Sequence, residues 1–499
     1  MKTRILLLFL VGVMLLLPLV GCNNQSNNPQ ETTATEDESG VPDDGGKYDS
    51  EGYLNDELPD NLNFDAEIRV LHWTESDIVE FNTSEDTPYT TEKAIWERDR
   101  TVEDRLGITF EWIPTKGHWQ SENSFVTTVQ NAMSGGESMR YDIIATYSQS
   151  AALLSTRGLI LDLKNNEYLD LEKPWWPKSL TDSFTINDQL FFASGDISTT
   201  FLSQMIGVYF NKEFFLDQNL YDLVYNNEWT LDKMMALSAE LYTDLDTENG
   251  KSQGDQYGVI CPWEIYLDGF FYGSNLIMVD HDSEGKLRVN GSYIGERADT
   301  LAERLKTLFH GGGNDGFLTN TGDTIKIFAR GDAAFMVAPG VTVLTKESMQ
   351  TTEVDYGVLP MPKYDSTQKE YKTVCTNLIS LYCIFAGNNE DQANRAGAVL
   401  ECMASEGYRQ IAPVVFNQCL QLRYAKDGDT GKMYDLIRSG VVFDIGRAYS
   451  RSALNDITQS KWQRCVIDGD KVWGAQSASI DAQLQSLLDK LQASFDDRG

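Results

Sequence analysis

Glu67-Ile68-Arg69-Val70-Leu71-His72-Trp73 opens the part of the chain whose reading decides the fold. Branched apolar residues alternate with polar ones, the signature of a strand. Residues 90–106 then carry Ala94, Ile95, Val102 and Leu106 at helical spacing, and Gly107 stops the helix. Ile108-Thr109-Phe110-Glu111-Trp112-Ile113 is a second strand, Phe125 to Met133 a second helix ended by Gly135-Gly136, and Tyr141-Asp142-Ile143-Ile144-Ala145-Thr146 a third strand with a helix from Ser148. Strand and helix alternate, so an α/β fold around a mainly parallel sheet is predicted.

The same pattern continues downstream. Strands are predicted over 206–210, 335–338, 357–359 and 378–385. Helices are predicted over 230–242, where Thr230 caps the start, and over 263–273, 296–309, 390–404, 406–420, 430–439 and 478–493. With 499 residues, the chain exceeds what one hydrophobic core usually serves, and two lobes are expected.

The N-terminus reads as an export signal. Lys2 and Arg4 precede an apolar run from Ile5 to Val20, too short and too early for a stable membrane span. Leu19-Val20-Gly21-Cys22 resembles the lipobox of bacterial lipoproteins, in which the cysteine becomes the lipidated first residue. Two acyl chains anchor a protein stably where one does not. The alternative is an ordinary signal peptide with a chance cysteine. Residues 22–61 are mostly Asn, Gln, Ser, Thr, Asp, Glu and Gly with scattered prolines and few aromatic or branched residues, and read as a disordered acidic tether before packing begins at Phe64.

Acidic residues outnumber basic ones 75 to 41, giving a net charge of −34. Such a surface repels nucleic acid and anionic headgroups, so no nucleic-acid partner is expected, and a monomer is. Apart from Cys22, the cysteines are Cys261, Cys375, Cys383, Cys402, Cys419 and Cys465. They form no C-x-x-C pair and lie far from His at metal-ligand spacing, so they read as small buried hydrophobes, with disulfides the alternative in an exported chain. No G-x-S-x-G, Walker A or H-E-x-x-H motif occurs. His310-Gly311-Gly312-Gly313 reads as a helix stop. Asp244, Asp246, Glu248 and Asp255 approximate a calcium loop, with Asn249 where glycine belongs; a solvated acidic loop is the alternative. No other cofactor is expected.

Several segments in order carry a family resemblance: Asp142-Ile143-Ile144 with Tyr147-Ser148-Gln149; Gly158 to Leu163; Ile206-Gly207-Val208-Tyr209-Phe210-Asn211-Lys212; Trp229-Thr230-Leu231-Asp232; Phe328-Ala329-Arg330-Gly331-Asp332-Ala333-Ala334-Phe335; and Tyr356 to Pro362. Together they resemble the bacterial extracellular solute-binding proteins of family 1, the carbohydrate-type receptors of ABC importers related to maltose-binding proteins. The resemblance covers about 64–495. It implies a two-lobed type II periplasmic-binding-protein fold, with a hinge crossed several times and a ligand cleft between the lobes. Mapped onto this chain, one lobe holds 64–205 plus 335–395 and the other 206–334 plus 396–499.

The function implied is a non-enzymatic, lipid-anchored receptor on the extracytoplasmic face of the membrane. It would capture a carbohydrate, an oligosaccharide by expectation, and pass it to an ABC permease. The alternatives are a peptide-type ligand on the same fold and, more distantly, a surface glycoside hydrolase. Sugars need aromatic platforms beside amide, hydroxyl and carboxylate groups. The candidate ligand residues are Trp73, Tyr147, Ser148, Gln149, Asp196, Trp263, Glu264, Gly340 and Trp462. Trp73 and Trp263 are expected to face each other from opposite lobes.

Overall fold

Two mixed sheets organise the computed structural model, which describes residues 47–248, 250–313, 315–416 and 428–496. The first sheet has the order β11-β3-β1-β2, from Ala66–Thr74 (β1), Ile108–Lys116 (β2), Ile143–Tyr147 (β3) and Ser380–Ile384 (β11). β1 runs parallel to β2 from Ala66 opposite Ile108 to Thr74 opposite Lys116, and parallel to β3. The second sheet has the order β10-β4-β9-β5-β8, from Ile206–Asn211 (β4), Tyr257–Pro262 (β5), Gly316–Thr319 (β8), Ala333–Pro339 (β9) and Tyr356–Leu359 (β10). A hairpin, Val279–His281 (β6) with Leu287–Val289 (β7), stands apart.

Three helices cover the first sheet's connections: Thr90–Leu106 (α1), Glu122–Ala132 (α2) and Ser148–Thr156 (α3). The expectation of a mainly parallel arrangement needs correction. β11 runs antiparallel to β3, and β4 antiparallel to both β9 and β10. A strand that enters its sheet straight from a crossing between lobes, as β4 and β11 do, starts on the side where its neighbours end, and so runs against them.

The crossings lie side by side. Ile206 N donates to Val374 O at 3.0 Å and Thr376 N to Gln204 O at 2.9 Å. Thr373 N donates to Gly440 O at 3.0 Å and Val442 N to Thr373 O at 2.9 Å. Three extended segments near 205, 374 and 441 therefore form the hinge.

The expected lobe boundaries shift accordingly. β9 and β10 belong to the second sheet, not the first lobe. Ala333-Ala334-Phe335-Met336-Val337-Ala338-Pro339 is buried throughout, and such a strand needs a neighbour on each edge. It finds them in β4 and β5. The helix Glu390–Glu406 packs on α1 in the first lobe, although residues from 396 on were expected in the second. The C-terminal segment touches both lobes. Tyr449 and Phe495 pack on Phe192 and Phe191, while Trp462 and Trp473 pack on Phe271 and Tyr293.

The tether boundary shifts too. Tyr53 meets the Tyr408 ring edge-on at 5.8 Å, and Leu58 is buried. Asp56 accepts from Arg105 Nη2 at 2.7 Å and from Ser405 Oγ at 2.9 Å. Residues 47–61 therefore pack on the first lobe, because their few apolar side chains and the carboxylates of Asp49, Asp56 and Glu57 find partners there. Residues 1–46, with Cys22, and Cys419 lie outside the described residues. Among the described residues no helix is long and apolar enough to cross a membrane. Cys261, Cys375, Cys383, Cys402 and Cys465 are buried free thiols.

A buried glutamate ties the loop at 170–176 to the helix Glu390–Glu406. Glu401 accepts from the indole nitrogens of Trp175 at 3.0 Å and Trp176 at 2.9 Å. Burial pushes its carboxyl from the ordinary 4.5 up to about 8, although these N–H donors pull the other way. The folded chain then holds a proton that the unfolded chain releases across that window. Stability is expected to fall as pH rises from about 4.5 to about 8, by at most about 1.4 kcal/mol per unit from this group. Urea unfolding of wild type and Glu401→Gln across that range checks it. The variant should show a flatter slope, and identical slopes would contradict the assignment.

Candidate functional site

The carboxyl ends of the parallel strands in both sheets converge on one gap, where open α/β sheets place their ligands. β2 leads into Gly117-His118-Trp119, β3 into Tyr147-Ser148-Gln149, and β5 into Trp263-Glu264-Ile265-Tyr266. His118, Trp119, Tyr147, Gln149, Trp263, Tyr266 and Thr321, which follows β8, line a cavity of about 610 Å³. Asn377 and Leu378 at the hinge, and Arg451, Asp456, Gln459, Ser460, Gln463 and Arg464, complete its walls.

Two aromatic side chains in this cavity are unusual. The chain has ten tryptophans, and only Trp119 (46 % exposed) and Trp263 (45 % exposed) are open to solvent. One comes from each sheet, and both line the same cavity. The other eight are buried or half-buried. Gly117 sets the approach to Trp119. A Cβ there would lie 2.7 Å from Trp73 Cβ and 2.9 Å from Phe125 Cδ2, so only glycine lets the chain pass this close to the core.

Polar groups alternate with the rings. Gln149 is buried; its Oε1 accepts from Tyr147 Oη at 3.3 Å, and among the described residues its Nε2 has no hydrogen-bond partner. A buried donor left open at a cavity wall is costly unless a ligand or water satisfies it. Burial pushes the Tyr147 phenol well up, so it stays neutral.

The opposite wall is organised by Asp268. This buried carboxylate accepts from Gln463 Nε2 at 2.6 Å, Gln459 Nε2 at 2.7 Å and Arg447 Nε at 2.9 Å. Gln459 Oε1 in turn accepts from Asn377 Nδ2 at 3.3 Å. With its NH₂ donated to Asp268, Gln463 presents its amide oxygen as an acceptor. The cavity thus combines two accessible indoles with fixed amide donors and acceptors.

A family model of bacterial extracellular solute-binding proteins matches residues 103–410, from within α1 through the helix after β11. The chain belongs to the bacterial extracellular solute-binding protein family. No curated protein matches the sequence. Among solved structures, it is similar to the maltose/maltodextrin-binding domain MalE from Bdellovibrio bacteriovorus bound to maltotriose, at 13 % identity and a TM-score of 0.49, over 85 % of this chain and 99 % of that one. It is also similar to the Thermus thermophilus maltotriose binding protein bound with maltotriose, at 12 % identity and a TM-score of 0.49, over 84 % and 99 % of the two chains.

In this solute-binding protein Tyr147, Gln149 and Trp263 line the cavity, and other expected ligand residues do not. Trp73 is buried, donates from Nε1 to Ser380 Oγ at 2.7 Å, and lies 5.8 Å from the Tyr147 ring. It supports Tyr147 from behind and is core. Trp462 is also core, with Nε1 donating to Ala298 O at 3.0 Å and its ring 5.0 Å from Phe271. Ser148 Oγ donates to Asn377 O at 2.7 Å and faces a small void of about 30 Å³ at the hinge. Asp196 is buried against Arg438 Nη2, at 2.5 and 2.6 Å from its two oxygens, beside a separate cavity. Gly340 lies at the hinge, where its N–H donates to Met205 O at 3.3 Å. The Glu264 side chain lies outside the described residues.

The acidic loop is held by its own donors. Asp244, Asp246 and Asp255 bring carboxylate oxygens within 4.8 Å of one another, and Glu248 is not among them. Asp255 accepts from Leu245 N at 3.1 Å and Ser252 N at 2.9 Å, and Asp246 from Glu248 N at 2.7 Å. Asn249 lies outside the described residues. The Asp280–Gly285 stretch is the β6–β7 turn, with Asp282 Oδ1 accepting from Glu284 N and Lys286 N.

Sequence reasoning missed His118, Trp119, Tyr266, Asn377, Gln459 and Gln463. A signal existed for Trp119. It follows the second strand just as Trp73 ends the first, with a glycine two residues before it.

Proposed function

We propose that this family member captures an oligosaccharide between its lobes, without cleaving it, and delivers it to an ABC transporter permease while tethered by lipid on Cys22. The observation that carries the reading is the pair Trp119 and Trp263, the accessible indoles of the chain, placed by different sheets on one cavity beside amide groups. Indole faces stack on the CH faces of sugar rings, and amides satisfy the hydroxyls around the edge. Asp456 is the one carboxylate among the described side chains of the cavity. Glycoside hydrolysis takes a pair, which favours capture over turnover.

A thermal-shift screen of gluco-, manno-, xylo- and galacturono-oligosaccharides against short peptides tests the ligand class. A saccharide at one hundred times its Kd should add about 2.7 kcal/mol of stability and raise the midpoint. A shift with peptides and none with any saccharide would replace the reading with a peptide receptor. Chromatography of the bound saccharide after prolonged incubation should return it intact, and shorter products would restore the hydrolase alternative.

The anchor rests on the Leu19-Val20-Gly21-Cys22 motif. Cys22→Ser is expected to leave folding intact and move the protein from the membrane fraction to the soluble one. Membrane fractionation equal to wild type would remove the lipid from the account.

A further inference from the structure

Arg157 and Arg451 differ from every other described arginine. The others donate to or pair with a carboxylate or carbonyl, as Arg438 does with Asp196, Arg447 with Asp268 and Arg297 with Ser274 O. Among the described residues, neither Arg157 nor Arg451 has a side-chain hydrogen bond or ion pair. In a chain with 75 acidic residues and 41 basic ones, two neighbouring guanidinium groups with no direct carboxylate contact are unexpected. Both line one chamber of about 290 Å³, with Trp119, Glu122 and Asn123.

That chamber adjoins the main cleft. Trp119 and Arg451 line both, and the Arg451 guanidinium sits 5.7 Å from the centre of the Trp119 ring. Glu122 is the chamber's single carboxylate. Burial pushes its carboxyl up, against the pull of Arg451 and Arg157, and one carboxylate set against two guanidinium groups leaves the chamber net positive. α2 begins at the same place, with Asn123 in its first turn and no side chain capping that turn. The helix dipole adds positive potential there.

We propose that this side chamber receives the anionic substituent, a carboxylate or sulfate, of an acidic oligosaccharide whose adjoining ring lies against Trp119. This rests on the carbohydrate reading above. A strongly acidic protein repels anions at long range, so an anionic ligand needs a local positive site to bind. Two guanidinium groups provide fork-shaped donors that match a carboxylate or a sulfate. A neutral sugar would offer neither guanidinium group a charged partner.

Calorimetric titration of the full chain with maltotriose, trigalacturonate and a sulfated carrageenan oligosaccharide, which carries no carboxylate, tests the proposal. At least one acidic saccharide should bind roughly tenfold or more tighter than maltotriose, and added salt should weaken it. The two acidic arms separate carboxylate from sulfate. Arg157→Gln and Arg451→Gln should each lower the ratio of acidic to neutral affinity by roughly tenfold, with Arg451→Lys intermediate. Both residues are exposed, so melting midpoints should stay near wild type. Maltotriose bound as tightly as the acidic saccharides, or a ratio unmoved by either glutamine variant, overturns the inference and leaves the carbohydrate reading standing. No binding of any saccharide overturns both.

Discussion

Trp263→Ala is expected to weaken saccharide binding by roughly tenfold or more, and Trp119→Ala similarly, while neither moves the melting midpoint appreciably. Each indole is nearly half exposed in the empty cleft, so little core packing is lost on truncation. Surface changes of this kind usually alter stability by about 0.5 kcal/mol or less. Bound sugar changes the balance, since closing on a ring buries the indole face against it, and losing such a platform costs on the order of 1 kcal/mol or more. The double variant should bind more weakly than either single one. Calorimetric titration beside thermal melts separates the effects. Normal affinity with a sharply lowered midpoint would show the rings to be structural.

Asp268→Ala is expected to act in the opposite sense, destabilising the fold by about 3–5 kcal/mol. The carboxylate is fully buried and Arg447 is nearly so. Removing Asp268 leaves the guanidinium with its donation to Cys375 O as its remaining anchor. The Gln459 and Gln463 side chains lose their acceptor at the same time, so the far wall of the cleft loosens. Asp268→Asn keeps the size and one acceptor and should cost less. Urea unfolding measures the loss. A midpoint within error of wild type for Asp268→Ala would mean that Arg447 and the two glutamines find other partners, and the wall would have to be described differently.

Much of the fold was legible because its signals are local. The first three strands were expected from alternating branched residues and were found over Ala66–Thr74, Ile108–Lys116 and Ile143–Tyr147. The helix expected over 296–309 spans Glu296–His310. What local pattern does not encode is which sheet a strand joins. The seven apolar residues of β9 say only that it is central, while the neighbours that fix its sheet, Tyr209 and Ile260, are remote in sequence. In the C-terminal segment, nothing in the residue spacing shows that Tyr449 and Trp462 pack on different lobes.

The cleft was half legible for a similar reason. Trp73 and Trp119 both stand at or just after the end of a strand. β1 is an interior strand between β2 and β3, so Trp73 is enclosed, with Gly117 close against it. β2 is the edge strand, so the residues after it emerge into the gap. Strand order, not residue type, decides which indole becomes a platform. Gln459 and Gln463 gave no signal, since their role depends on Asp268, which lies nearly two hundred residues earlier in the chain.

The most direct test of a ligand site between the lobes is tryptophan emission during titration of Trp119→Phe/Trp263→Phe with the saccharide that gives the largest thermal shift. Phenylalanine keeps an apolar ring at each position, so binding should persist by calorimetry. The eight remaining tryptophans are buried or half-buried away from the cavity. Wild type should show a saturable emission change that the double variant largely loses. An emission change of the same size in both proteins would place the solute elsewhere and contradict the account.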